Sequence, residues 1–152
     1  MTSSTAPLTI RPISDNDFDA WLPLWLAYQD FYQVELGEAV NCTTFKRFLD
    51  NDEPVFAAVA ECNGEMLGMV TWVIHRSTWS TTHYCYLEDL YVAPQLRGQG
   101  AGEQLIAWVK AAADQQQCTR LYWHTHETNK RAQQLYNRVA VNPGTILYQI
   151  AL

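Results

Sequence analysis

The chain lacks any long apolar run. Near its start, WLPLWLAY from Trp21 to Tyr28 is interrupted by Pro23 and is far short of the roughly 20 residues a membrane-spanning helix needs. The opening MTSSTAPLTIRP carries no basic residue ahead of an apolar core, so no secretory leader is expected. Positive charge is also scarce. Ten Lys and Arg stand against 16 Asp and Glu, for a formal net charge of −6. That excludes the basic surface on which sequence-independent nucleic-acid binding depends, and it suits a small cationic substrate. Cysteine is limited to Cys42, Cys62, Cys85 and Cys118, with no C-x-x-C pair. Nothing else marks a secreted chain of the kind four cysteines would staple, so a reduced, cytoplasmic protein is expected.

What is present describes one globular domain over 1–152, with no internal repeat and no linker. Of its 152 residues 48% are apolar, enough to bury about two-thirds of the unfolded surface. Residues 1–6 read as a loose tail. LTIRPI alternates and predicts a strand closed by Pro12. Phe18, Trp21, Leu22, Trp25 and Leu26 recur at helical spacing, with Pro23 expected to kink or split that helix. A second short helix is expected after Asn41. PVFAAVAEC, Asn63-Gly64 and MLGMVTWVIH read as a hairpin, because Asn-Gly between apolar runs favours a tight turn.

Residues 82–92 form a fourth strand, 101–116 a helix, TRLYWHTH a fifth strand and 129–140 a last helix. Asn142-Pro143-Gly144 ends that helix, and TILYQIAL is a final strand. The predicted order is β-α-α-β-β-β-α-β-α-β. The strand–helix–strand unit over 82–126 implies a parallel pair with a right-handed crossover. The sheet is therefore mixed, within an α/β or α+β domain that carries helices on both faces.

Two features of the fourth strand and its exit carry chemistry. Glu88 and Asp89 place adjacent carboxylates inside a strand, where an unpaired charge is costly unless a wet cleft or a partner relieves it. By simple alternation they should point to opposite faces. A turn, Arg97-Gly98-Gln99-Gly100-Ala101-Gly102, then leads into a helix. Free N–H groups and the helix dipole make such a junction an anion site, and glycine permits close backbone approach. The turn lacks the Gly-Lys-Ser/Thr ending of a Walker loop. Glu103 stands where a Rossmann fingerprint needs its third glycine.

R-x-x-G-x-G at Arg97–Gly102, preceded by LYVAP, resembles the acetyl-coenzyme-A signature of the GNAT superfamily of N-acetyltransferases. YLEDLYVAPQLRGQGAG and WHTHETNKRAQQLYNRVA are most similar to the polyamine, histone and amino-acid acetyltransferases of the Hpa subgroup. The resemblance extends over nearly the whole chain and implies a GNAT-type mixed sheet with acetyl-CoA as co-substrate. It implies pyrophosphate on the N–H groups of Gly98, Gln99, Gly100, Ala101, Gly102 and Glu103, with Arg97 nearby. It implies a pantetheine arm along Leu90, Tyr91 and Val92, met from the other side by Asn129 and Ala132. Lys130 and Arg131 read as a solvated helix face.

The implied reaction has a proton problem. An alkylamine with a pKa near 10.4 leaves on the order of one molecule in a thousand nucleophilic at neutral pH, a deficit of about 4 kcal/mol. The resemblance assigns Glu88 to accept that proton, directly or through water, and Tyr136 to donate one to the departing thiolate. Asp89 and Tyr32 are assigned to the amine substrate, and Tyr28, Glu35 and Trp79 lie in stretches that line acceptor sites in such folds. His124 and His126 are two apart on the predicted fifth strand and so share a face, but no third ligand follows at a useful spacing, so no metal is expected. The reading that results is acetyl transfer to a primary amine of a polyamine, amino acid or lysine side chain, in a ternary complex. The resemblance also implies a homodimer, with the apolar TILYQIAL strand able to cross to a partner. A catalytically silent coenzyme-A sensor or interaction module, and a nucleotide-binding module, are the alternatives.

Overall fold

A computed structural model describes residues 7–152; the expected loose tail at 1–6 lies outside the described residues. Five strands run β1 (Thr9–Pro12), β2 (Val55–Cys62), β3 (Glu65–His75), β4 (His83–Val92) and β5 (Cys118–Tyr122). Four helices are α1 (Phe18–Phe31), α2 (Glu38–Leu49), α3 (Ala101–Gln115) and α4 (Lys130–Val139). The spatial order of the strands follows the chain. β1 to β4 are antiparallel neighbours, and β5 is parallel to β4. The mixed sheet has α1 and α2 on one face and α3 and α4 on the other.

Alternation explains both cores. On the first face Val59 and Met69 pack with Trp21, Trp25 and Phe45. On the second, Ala58, Val70, Trp72 and Leu87 pack with Leu105, Ile106 and Val109 of α3. Trp21 and Leu105 are fully buried, and truncating Trp21 to Ala should cost about 3–5 kcal/mol. The hairpin turn has φ of 54° at Asn63 and 74° at Gly64, the left-handed pair that matches the strand twist.

Four expectations are corrected. Pro23 does not split α1, which runs unbroken from Phe18 to Phe31. Proline forgoes the bond to the Asp19 carbonyl four residues back, and the helix is carried through by its remaining bonds and by the packing of Trp21, Leu24 and Trp25. Helix α2 begins at Glu38 with Gly37 at its cap, so Asn41 lies inside it and does not start it. Asn41 is buried there because its Oδ1 accepts from Trp25 Nε1 at 2.8 Å and Gln29 Nε2 at 3.0 Å. Its polarity stitches α1 to α2. Strand β5 stops at Tyr122, so His124 and His126 lie beyond it.

The predicted final strand is the fourth correction. Residues 145–152 follow a turn in which Gly144 N donates to Asn142 Oδ1, and among the described residues they join no strand of the sheet. Ile146, Tyr148 and Ile150 are 75–87% exposed. An apolar run becomes a strand only when a ladder partner receives its backbone groups.

Candidate active site

The site grows from an irregularity in β4. Thr71 pairs with Asp89, but its neighbour Trp72 pairs with Leu87, so Glu88 is an extra residue in a bulge. The bulge resets the alternation. Cys85 and Leu87 face α3 before it, Leu90 faces α3 after it, and Tyr91 faces the α1 side. Glu88 and Asp89 therefore both project toward the α1 side, against the expectation that they would face apart.

Asp89 accepts from Thr71 Oγ1 at 2.6 Å and from the Tyr28 hydroxyl. Burial raises its pKa despite these bonds, which favour the ionised form. Glu88 is raised as well, first by loss of part of its water shell and then by the Asp89 charge, although its side chain still reaches solvent. Burial pushes the Tyr28 hydroxyl well up, and the two carboxylates push it further.

The second irregularity is a splay. β4 pairs with β5 only from His83 to Tyr86, although it continues to Val92. Beyond Tyr86 the two strands part, and a cavity of about 630 Å³ fills the gap. Leu90, Tyr91 and Val92 line one wall. Asn129, Ala132 and Tyr136 line the other, and Tyr28 and Tyr32 lie at the α1 end. Asn129 caps α4, its Oδ1 accepting from Ala132 N at 3.3 Å. Tyr136 packs edge-on against Trp123. Burial pushes its hydroxyl up to about 12, with Tyr32 adding to the shift, so it stays protonated at neutral pH.

The glycine turn forms the far end of the cavity. Gly98 and Gly100 have φ of 80° and 79°, and a Cβ on either would meet open space. These two are needed for conformation and not for room. Gly102 has the opposite reason, since a Cβ there would lie 3.1 Å from Leu135 Cδ2 and the leucine side chain would have to give way. The first backbone bond of α3 is Gln104 N to Gly100 O. The N–H groups of Ala101, Gly102 and Glu103 therefore lack acceptors within the helix and lie where the cavity can use them. Arg97 lines the cavity while its Nε donates to Val92 O at 3.3 Å.

Of the residues read from sequence, the cavity gathers Tyr32, Leu90, Tyr91, Val92, Arg97, Gly98, Gly100, Ala101, Gly102, Glu103, Asn129, Ala132 and Tyr136. Gln99 is not among its lining residues; its side chain reaches toward Gln95 O at 3.4 Å. Glu88 and Asp89 are not among its lining residues; Asp89 is tied to it through the Tyr28 hydroxyl. Trp79 is 87% exposed and lines none of it, and neither does Glu35. His124 leans on Tyr86 while His126 turns back to Thr128, so the two histidines diverge. Among the described residues no group of three or more His, Cys, Asp or Glu could hold a metal.

Sequence reasoning missed Thr71 and Arg138; Arg131, read as part of a solvated helix face, is exposed and also lines the cavity. Arg131, Leu135 and Arg138 recur at helical spacing on α4, so the period held the signal. Thr71 becomes visible only through the shifted register opposite the bulge.

A mixed sheet that opens beside a helix N-terminus, with an anion cradle at one end and carboxylates and tyrosines at the other, defines a binder of an extended, anionic group-transfer donor. The chain belongs to the acetyltransferase (GNAT) family, whose model matches residues 18–140, and within it to the Hpa type. It is an N-acetyltransferase that uses acetyl-CoA and acts on amines. It is 33% identical over 144 residues to the D-amino-acid N-acetyltransferase HPA3 of Saccharomyces cerevisiae, covering 93% of this chain and 89% of that protein. It is 36% identical over 92 residues to a thialysine N-epsilon-acetyltransferase of Bos taurus, covering 60% of this chain and 54% of that one. The aminoglycoside acetyltransferase AAC(6')-Iy, solved with a bisubstrate analogue, has the same fold. Its TM-score is 0.84 at 16% identity, with 97% of this chain and 99% of that chain covered.

Proposed function

We propose that the chain acetylates a primary amine by direct attack on acetyl-CoA in a ternary complex, within a single catalytic domain spanning 1–152. The observation that carries this reading is the pairing of bulge and splay on one strand. The bulge turns two carboxylates of raised pKa toward the α1 face. The splay opens a gap beside them that runs to a protonated tyrosine.

Acetyl-CoA supplies the activated acyl group. The N–H groups at the start of α3 and the arginines Arg97, Arg131 and Arg138 suit its phosphates. The unpaired edge of Leu90–Val92 suits an extended arm, with Asn129 and Ala132 opposite. Glu88 takes the ammonium proton, and Asp89 and Tyr32 help hold the amine. Tyr136 returns a proton to the thiolate sulfur. Both relatives named above carry amine acceptors in their names, which supports an amino-acid-like or lysine-like substrate.

The test is steady-state release of free coenzyme A over a panel of amines, with Tyr136→Phe and Glu88→Gln alongside. Turnover with one amine class, lost in both variants, is expected. Acetyl-CoA binding without release across the panel would favour a silent sensor. Near-full activity in both variants would overturn the assigned roles.

The protein is also proposed to be a cytoplasmic homodimer. The free thiols of Cys42, Cys85 and Cys118 suit a reducing compartment. No described helix is long and apolar enough to cross a membrane. The exposed apolar segment 145–152 and the outer edge of β5 offer an exchange between two copies, and light scattering should return twice the 17.4 kDa chain mass.

A further inference from the structure

We propose that Arg120 reads a carboxylate on the acceptor, so that the preferred substrate is an amino acid whose reacting amine lies about a lysine's length from its carboxylate. The inference rests on the reading of the chain as an amine acetyltransferase.

The observation is a strip of rings on the sheet face that also carries Glu88 and Asp89. Tyr84 and Tyr86 of β4 lie opposite Arg120 and Tyr122 of β5 and opposite His75 and Val73 of β3. Cross-strand partners share a face. Tyr86 stacks on Tyr122 with centroids 5.0 Å apart, and His124 closes on Tyr86 at 5.4 Å. His75 Nε2 and the Tyr122 hydroxyl are 2.6 Å apart, which fixes that ring. The Arg120 guanidinium lies 4.9 Å from the Tyr122 centroid and 5.3 Å from that of Tyr84. It is exposed, yet the rings hold it in place.

The strip is polar from end to end. Two carboxylates stand at one end and one guanidinium at the other. Among the described residues no ion pair engages Glu88, Asp89 or Arg120. A substrate laid along the rings would meet negative charge beside the acyl-transfer gap and positive charge away from it. That polarity matches a zwitterion. It disfavours a polyamine, whose second ammonium would face Arg120.

Length selects further. From the Tyr84 row to Asp89 is about four strand steps once the bulge is discounted, or roughly 13 Å, and the lean of Arg120 toward Tyr122 shortens this to about 10–13 Å. A lysine spans about 7 Å from amine to carboxylate, and a hydrogen bond of about 3 Å at each end brings it to about 13 Å. An α-amine sits too near its own carboxylate to reach both ends.

The experiment compares L-lysine with 1,5-diaminopentane, which has the same chain without the carboxylate, and identifies the acetylated nitrogen by mass spectrometry. The wild type should favour lysine in kcat/KM and acetylate its side-chain amine. Arg120→Gln should lower the lysine-to-diamine ratio of kcat/KM roughly tenfold, as expected of one charge-assisted pair. Arg120→Lys should retain much of that ratio. An unchanged ratio in Arg120→Gln, a wild type that uses the diamine as well as lysine, or acetylation at the α-amine would overturn the inference while leaving an active acetyltransferase. No coenzyme A release with any amine would bring down the underlying reading, and this inference with it.

Discussion

The two halves of β4 share one backbone but behave as different objects. From Tyr84 to Tyr86 the strand is paired on both sides, and its residues are ordinary sheet members. From Leu87 to Val92 it keeps β3 but loses β5, and it contains the bulge. The first half contributes rigidity. The second contributes an open row of backbone groups and two carboxylates on one face. A few residues of lost pairing turn a structural strand into the wall of a cleft.

Substitutions in the second half should damage chemistry far more than fold. The largest effect is expected from Glu88→Gln, a loss of about 10²–10³-fold in kcat/KM. A proton acceptor works only when ionised. Because its pKa is raised, activity should fall as pH drops through a limb lying above the ordinary carboxylate range. In Glu88→Gln that limb should vanish from the pH profile. Persistence of the limb would pass the role to Asp89, its neighbour on the same face. Tyr136→Phe should lower kcat about a hundredfold while leaving Tm nearly unchanged, since it keeps the ring against Trp123.

Gly100→Ala should weaken acetyl-CoA binding about tenfold by titration calorimetry. An L-residue at that left-handed φ costs about 1–2 kcal/mol, and the turn must shift to relieve it.

The smallest effect sharpens the contrast from the other side, far from the cleft. Arg11 grips Asp17 with two bonds, at 2.7 and 2.8 Å, and also pairs with Glu61. The Arg11 bonds hold the Asp17 carboxyl down to about 2. A depressed carboxyl stabilises the fold above its unfolded pKa, and that stabilisation is lost as pH falls from about 4 toward 2. Asp17→Asn should lower stability near neutral pH by at most about 2 kcal/mol and flatten the acid limb of the Tm profile. Catalysis should be untouched. A changed KM would mean that β1 and the cleft are coupled.

Much of this contrast was legible in the residues. Apolar period located β2, β3, α3 and α4, and Asn63-Gly64 located the hairpin turn. The glycine turn was legible because only particular backbone shapes require glycine. The face shared by Glu88 and Asp89 was not, because a bulge depends on the register of the opposing strand and β4 carries no mark of it. The helical reach of α2 was hidden for a similar reason: Asn41 looks like a cap until Trp25 and Gln29 are seen beside it. TILYQIAL has strand character, but a strand needs a partner that local sequence does not name.

Amide hydrogen exchange of the protein with and without acetyl-CoA tests the central claim most directly. The account predicts slowed exchange at Leu90–Val92 and at Gly100–Glu103, with no change at Tyr84–Tyr86, which is already paired on both sides. Slowing confined to other segments, or equal across both halves of β4, would contradict it.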